Sequence, residues 1–115
     1  MALDAKTVNL AIRNYVSDVR NAMVIDRVFL FGSYAKGTAK DDSDIDLCFF
    51  SEDFDNRCSI DILRRLCRLT RKYNHSVDIE PHIFPTTELQ NDNPFVKEIL
   101  RTGREIYEVD SIYRG

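Results

Sequence analysis

Apolar side chains at Val8, Ile12, Tyr15, Val16, Val19 and Met23 follow one another at helical spacing, the stripe of an amphipathic helix over 7–23. Val28-Phe29-Leu30-Phe31 is a short unbroken apolar run, and its length suits a strand buried on both faces. It stops at Gly32-Ser33, and the small, polar residues 34–43 predict a turn-rich loop with room for one short helical turn. Asp44 to Phe50 begins by alternating polar and apolar, which predicts a second strand. Leu63, Leu66, Cys67, Thr70 and Tyr73 mark the stripe of a second helix over 59–72, with Arg64, Arg65, Arg68, Arg71 and Lys72 on its wet side. Val77-Asp78-Ile79-Glu80 alternates again and opens a third strand that runs to Phe84. Asn93-Pro94 has the form of an N-cap followed by proline at the first helical position. The helix it starts, Phe95 to Arg101, should stop at Gly103, and Glu105-Ile106-Tyr107 can add a last short strand. The order predicts an α/β (α+β) domain, a small mixed sheet with helices packed on one face.

At 115 residues, with 43% hydrophobic and 30% charged positions, the chain reads as a single domain over 1–115, large enough for a core without disulfides. Sixteen Lys and Arg against nineteen Asp and Glu leave a net charge of −3. That balance disfavours a protein that lives on nucleic-acid phosphate, which needs a basic footprint, and the arginines of the second helix read as a solvated face. No apolar window is long enough for a membrane span, and Met1 to Lys6 lacks a signal-peptide core. The cysteines Cys48, Cys58 and Cys67 are odd in number and show no CxxC spacing, so a reducing cytoplasmic setting with mostly buried thiols is expected. No cysteine pair brackets His75 and His82, which argues against a zinc site.

The chemistry concentrates between Leu30 and Leu47. A buried strand running into Gly32-Ser33 offers close backbone approach, an N–H and a hydroxyl, which together can cradle a phosphate. Asp44 and Asp46 stand at i and i+2 on a strand, so both carboxylates face one side, with Cα atoms roughly 7 Å apart, while Ile45, Leu47 and Phe49 take the core side. Two ionised carboxylates at that spacing repel, and a divalent cation such as Mg²⁺, held by one or two carboxylates and substrate phosphates, relieves the repulsion. Either feature alone is common in ordinary turns and solvated strand faces. In combination they are more specific, because a loop from Ser33 back to Ile45 returns the carboxylates beside the turn. A phosphate cradle and metal carboxylates facing one cavity are what phosphoryl or nucleotidyl transfer requires.

Gly32-Ser33, ten residues, then Asp44-Ile45-Asp46 resembles the signature of the DNA polymerase beta-like nucleotidyltransferase superfamily. The longer match through Gly32-Ser33-Tyr34-Ala35-Lys36-Gly37 and Ser43-Asp44-Ile45-Asp46-Leu47 resembles its minimal, antitoxin-type nucleotidyltransferases, as does Asn93-Pro94-Phe95 through Ile106-Tyr107. Lys36 stands where that family often has arginine. The resemblance implies transfer of a nucleoside monophosphate from an NTP, with AMP from ATP the first choice. It implies two Mg²⁺ ions and three carboxylates, of which Asp44 and Asp46 supply two. Val77-Asp78-Ile79 resembles the third motif, making Asp78 the first candidate for the remaining carboxylate, with Glu80 on the same face as the alternative. His82 shares that face, as an ordinary strand residue or as a neighbour of the site. Gly32, Ser33, Lys36 and Ser43 are the implied nucleotide-binding residues, with Lys40 a further cation in reach, and Ser43 could equally cap the strand start. Tyr34 and Tyr113 are candidate contacts for a second substrate. The resemblance also implies a partner that carries the acceptor hydroxyl, a small helical HEPN-type protein of a toxin–antitoxin pair or a second copy of the chain. The alternative is a partner-neutralising module that binds nucleotide without turnover.

Overall fold

The computed structural model describes residues 5–40, 43–56, 59–74 and 77–107. Helix α1, Ala5–Ala22, leads into strand β1, Arg27–Phe31, and the four-residue helix α2, Ser33–Lys36. Strand β2, Ile45–Ser51, is followed by helices α3, Asp53–Asn56, and α4, Ser59–Leu69, and then by strand β3, Ile79–Pro85. Helix α5, Pro94–Thr102, and the two-residue strand β4, Arg104–Glu105, complete the order.

The sheet order is β3-β2-β1-β4. β1 runs antiparallel to β2 and to β4, while β2 and β3 are parallel. The parallel pair needs a crossover, and α3 and α4 lie in that stretch of chain. The expectation that 28–31, 44–50 and 77–84 neighbour one another in one mixed sheet is met, with strand boundaries moved by one or two residues.

One face of the sheet carries the main core. Val28 and Leu30 of β1, Ile45, Leu47 and Phe49 of β2, and Ile79 and Ile83 of β3 join Val8, Ile12, Tyr15, Val16 and Val19 of α1 and Ile62 and Leu66 of α4. These β2 side chains are fully buried. Removing a side chain of that size from water stabilises the fold by about 1.5–3 kcal/mol. The Tyr15 hydroxyl donates to the Leu66 carbonyl at 2.8 Å and locks α1 to α4, which satisfies the one polar group that this tyrosine takes into the core. Desolvation pushes its phenol well above the ordinary range.

The buried stripe of α4 is turned from the one expected. Ile62, Leu66 and Thr70 are buried, whereas Leu63 and Cys67 are exposed. The helix is too arginine-rich for its apolar residues to define a single face by spacing alone. Cys48 is a buried thiol as expected, Cys67 is exposed, and Cys58 lies outside the described residues. Tyr34 is also corrected: it sits in the main core at 1% exposure, because α2 turns it back under the sheet end, and it is no surface contact. Tyr113 and His75 lie outside the described residues.

Helix α5 packs on the opposite face, where Val96 and Ile99 meet Phe29, Cys48 and Phe50. The helices expected on one face, α1 and α4, are there, and α5 gives the second face a smaller core of its own. The cap predicted for α5 forms: Asn93 Oδ1 accepts from the N–H groups of Phe95 and Val96 at 3.0 and 3.3 Å. Gly103 ends the helix for a different reason than a left-handed cap. Its backbone is extended, and a Cβ there would lie 2.6 Å from the Ile99 carbonyl oxygen and 3.0 Å from that of Leu30, so glycine lets α5 close onto β1. Arg27 and Glu105 form a bidentate pair at 2.8 and 2.6 Å that fastens β4 to β1.

Candidate active site

The strand register sets the chemistry of the second face. Asp46 pairs with Phe31 on one side and Glu80 on the other, so these three form a row across β1, β2 and β3. The next row on the same face is Phe29, Cys48 and His82, and Phe50 pairs with Phe84 beyond it. Alternation along β2 and β3 therefore places carboxylates at one end of the face and aromatic side chains at the other.

Gly32 binds the turn to the carboxylate row. It has φ of 74° and ψ of −153°, a conformation open mainly to glycine. A Cβ at this position would lie 2.3 Å from Asp46 Oδ2. The missing side chain thus makes room for the Asp46 carboxylate against the backbone of the Gly32-Ser33 turn. Ser33 begins α2, and Gly37 closes it in the left-handed region at φ 75°, its N–H donating to the Ser33 carbonyl. Lys36 and Lys40 are exposed beyond the turn. Ser43 closes the loop's far end, where its hydroxyl accepts from the Lys40 N–H at 2.7 Å and its own N–H donates to the Lys40 carbonyl at 3.0 Å. Both hydrogen bonds of Ser43 thus lie within the loop, to Lys40.

Asp46 and Glu80, on adjacent strands, and His82, two residues along β3, converge: one ligand atom from each lies within 4.8 Å of the others. Burial, the nearby charge of Glu80, a carboxyl–carboxyl hydrogen bond to it, and the charge of Asp44 push the Asp46 pKa up to about 6. Among the described residues, no Lys or Arg ion pair reaches Asp46 or Glu80. The site concentrates negative charge beside the Gly32-Ser33 turn. His82 Nε2 is 4.0 Å from Glu80 Oε1. Burial pulls the His82 pKa down, opposed by the Glu80 charge, which favours the neutral imidazole. The ring is flanked by Phe31 at 5.3 Å and Phe95 at 5.7 Å.

Asp44 and Asp78 stand one step outside this group. Each immediately precedes its strand, both are exposed, and the Ile45 N–H donates to the Asp78 carbonyl at 2.7 Å. The two aspartates therefore flank the mouth of the β2–β3 pair, while Glu80, the alternative third carboxylate, is the residue opposite Asp46. Spacing could not rank Asp78 against Glu80, because both share one face; the parallel register decides which of them meets Asp46. His82 could be read in the sequence as sharing that face, but its approach to the carboxylates follows from the aromatic side chains of β1 and α5 around it. The donor set suits a divalent cation: two carboxylates and an imidazole converge, with the Asp46 carboxylate seated against the Cβ-free turn.

Comparison with known proteins follows the same lines. A Methanocaldococcus jannaschii protein named "Putative protein adenylyltransferase MJ1305" is 29% identical over 120 residues, covering 98% of this chain and 80% of that protein. The crystal structure of a "putative nucleotidyltransferase" from Sulfolobus solfataricus superposes with a TM-score of 0.65 at 16% identity, covering 98% of this chain and 95% of that one. A mutant of the toxin–antitoxin pair MntA–HpeT superposes with a TM-score of 0.58, also at 16% identity, over 85% of this chain and 74% of that one. At such identities the two structures speak for the fold. The model of the polymerase beta nucleotidyltransferase family matches residues 12–112, a span that includes the sheet, the Gly32-Ser33 turn and every carboxylate discussed above, and the chain belongs to that family.

Proposed function

We propose that this protein is a metal-dependent nucleotidyltransferase that moves a nucleoside monophosphate, AMP from ATP, to a hydroxyl on a partner protein. The observation that carries the reading is the seating of the Asp46 carboxylate against the Cβ-free Gly32-Ser33 turn, with Glu80 in register beside it. A phosphate cradle and metal-binding carboxylates then address the same few ångströms of space.

In this reading the turn's N–H groups and the Ser33 hydroxyl hold the terminal phosphates, and Lys36 adds a point charge from the exposed side. Asp44 and Asp46 are the metal carboxylates of β2, and Glu80 rather than Asp78 completes the set, since it is the one opposite Asp46. These carboxylates would hold Mg²⁺, which when bound would supply neutralisation of triphosphate charge and a lower pKa for the acceptor hydroxyl. The acceptor oxygen attacks the α-phosphorus, a new P–O bond forms, the bond to the bridging α–β oxygen breaks and pyrophosphate leaves. Glu80 takes the hydroxyl proton on its carboxylate. Exposed Asp78 acts at the edge of the site and tunes the charge at its mouth.

The acceptor is assigned to a second protein because the described residues build the sheet, the turn, the carboxylates and their cover. Positioning of the acceptor can supply several kcal/mol of catalysis, so the isolated chain should be a poor catalyst on small hydroxyl compounds. The name of the M. jannaschii relative and the toxin–antitoxin complex among the structural neighbours support a protein partner. The test incubates the chain with each labelled NTP, Mg²⁺ and the product of the neighbouring gene, followed by mass spectrometry of both proteins. A nucleoside monophosphate added to Tyr, Ser or Thr of the partner is the expected result. Rapid labelling of free small molecules by the chain alone overturns the assignment of the acceptor, and the absence of any NTP turnover or binding overturns the enzyme.

A further inference from the structure

We infer that His82 is a direct ligand of the metal held by Asp46 and Glu80, and that this imidazole makes the site prefer a first-row transition-metal ion to Mg²⁺. The inference rests on the metal-site reading above and adds a ligand and a selectivity to it. One donor atom from each of the three residues lies within 4.8 Å of the others, so a single point lies within about 2.8 Å of all three, a small side-chain movement from bonding distances of about 2.0–2.2 Å. The imidazole is aimed by packing. Phe31 lies edge-on to it at 5.3 Å and Phe95 lies tilted at 5.7 Å, the two phenyl rings themselves 5.6 Å apart, so the imidazole packs as one corner of an aromatic triangle and Nε2 is the nitrogen found near Glu80. On the sheet, the residue paired with His82 is buried Cys48, which leaves the carboxylate row as the polar neighbour within reach.

Mg²⁺ is satisfied by carboxylates, phosphates and water and gains little from an imidazole. Affinity at a mixed nitrogen–oxygen site rises from Mn²⁺ to Co²⁺ along the divalent series. His82 therefore separates the transition-metal ions from Mg²⁺ more strongly than carboxylates alone would.

The test titrates the metal-free full chain with Mg²⁺, Mn²⁺ and Co²⁺ alone, by calorimetry, for the wild type, His82→Phe and Asp46→Asn. Phenylalanine keeps the aromatic packing and removes the nitrogen. The wild type should bind Co²⁺ at least tenfold tighter than Mg²⁺. His82→Phe should weaken Co²⁺ binding about tenfold or more and leave the Mg²⁺ affinity within twofold. Pulsed electron paramagnetic resonance of Mn²⁺ on the wild type gives a readout independent of any variant: a directly bound ¹⁴N coupling is expected. No ¹⁴N coupling, or equal losses for Co²⁺ and Mg²⁺ in His82→Phe, overturns His82 as a ligand. If His82 fails while Asp46→Asn still abolishes Mg²⁺ binding, the proposed function stands without this inference. If Asp46→Asn binds all three ions like the wild type, both fall.

Discussion

The two faces of the sheet answer to different demands although they are made by the same three strands. On the face under α1 and α4, Ile45, Leu47 and Phe49 of β2 are apolar and fully buried. On the opposite face the same strand changes character along its length. Asp46 opens it beside Glu80, whereas Cys48 and Phe50 continue it beneath Val96 and Ile99 of α5. The helix covers one end of that face and leaves the carboxylate end partly open. Stability is concentrated where burial is complete. The face with chemistry keeps only enough apolar cover to hold the site residues in place, and it holds like charges together at a cost the other face does not carry.

The largest expected effect breaks the covered face. Phe49→Ala removes a fully buried ring that also packs edge-on to Tyr15 at 6.0 Å, and it should cost about 3–5 kcal/mol of stability, read as a lower denaturant midpoint. On the other face, Asp46→Asn should reduce nucleotidyl transfer by a factor of about 100 or more, roughly 3 kcal/mol of transition-state stabilisation. Metal-free folding stability should hold or rise. A matching loss of stability would mean that Asp46 serves the core as Phe49 does.

Gly32→Ala sharpens the contrast where the turn meets the sheet. It places a Cβ against Asp46 Oδ2 at a positive φ, which should cost about 1–2 kcal/mol of backbone strain and displace the carboxylate. Transfer should fall more than stability does. Gly37→Ala provides the control: that glycine also has positive φ, but a Cβ would meet nothing within 4 Å, so it should show the strain without the loss of transfer. Glu80→Gln should impair transfer more than Asp78→Asn, and the reverse order would return the third carboxylate to Asp78.

The smallest effect is a pH dependence. Asp46 keeps its proton to about pH 6 in the folded chain, against 3.8 as its ordinary value. Between those values the folded state binds more protons than the unfolded state, so this group's contribution to stability falls as pH rises from about 4 to 6 and is flat above. The partial exposure of the site limits the loss to about 1 kcal/mol. Asp18 and Glu105 have depressed values and act in the opposite direction, so the quantity to measure is the wild type minus Asp46→Asn difference across that range in metal-free buffer. Adding a divalent cation at pH 8 should recover the difference in the wild type alone. A flat difference curve would show that Asp46 and Glu80 do not share a confined site.

Much of this organisation was legible in the chain. The stripe of α1, the apolar run of β1, the alternation from Asp44 to Leu47 and the Asn93-Pro94 cap are local patterns with a direct physical reading, and each formed where expected. The stripe of α4 was misplaced because Ile60, Ile62, Leu63 and Leu66 offer two overlapping apolar faces, and packing against Tyr15 and the sheet selects the one that contains Ile62, Leu66 and Thr70. The burial of Tyr34 was likewise hidden, since its fate depends on the direction in which a single turn of helix leaves the strand.

By itself the sequence determined the strand that carries Asp46 and follows Asp44, the glycine beside it and the family motif, because side-chain alternation and backbone permissiveness act over neighbouring residues. Only the tertiary structure decided that Glu80 meets Asp46, that Gly32 is bare because a carboxylate lies over it, and that His82 is steered by Phe31 and Phe95. Those are relations between strands and a helix separated by tens of residues. They follow from the parallel register of β2 and β3 and from the docking of α5, and a shift of one residue in that register would send Glu80 and His82 to the opposite face.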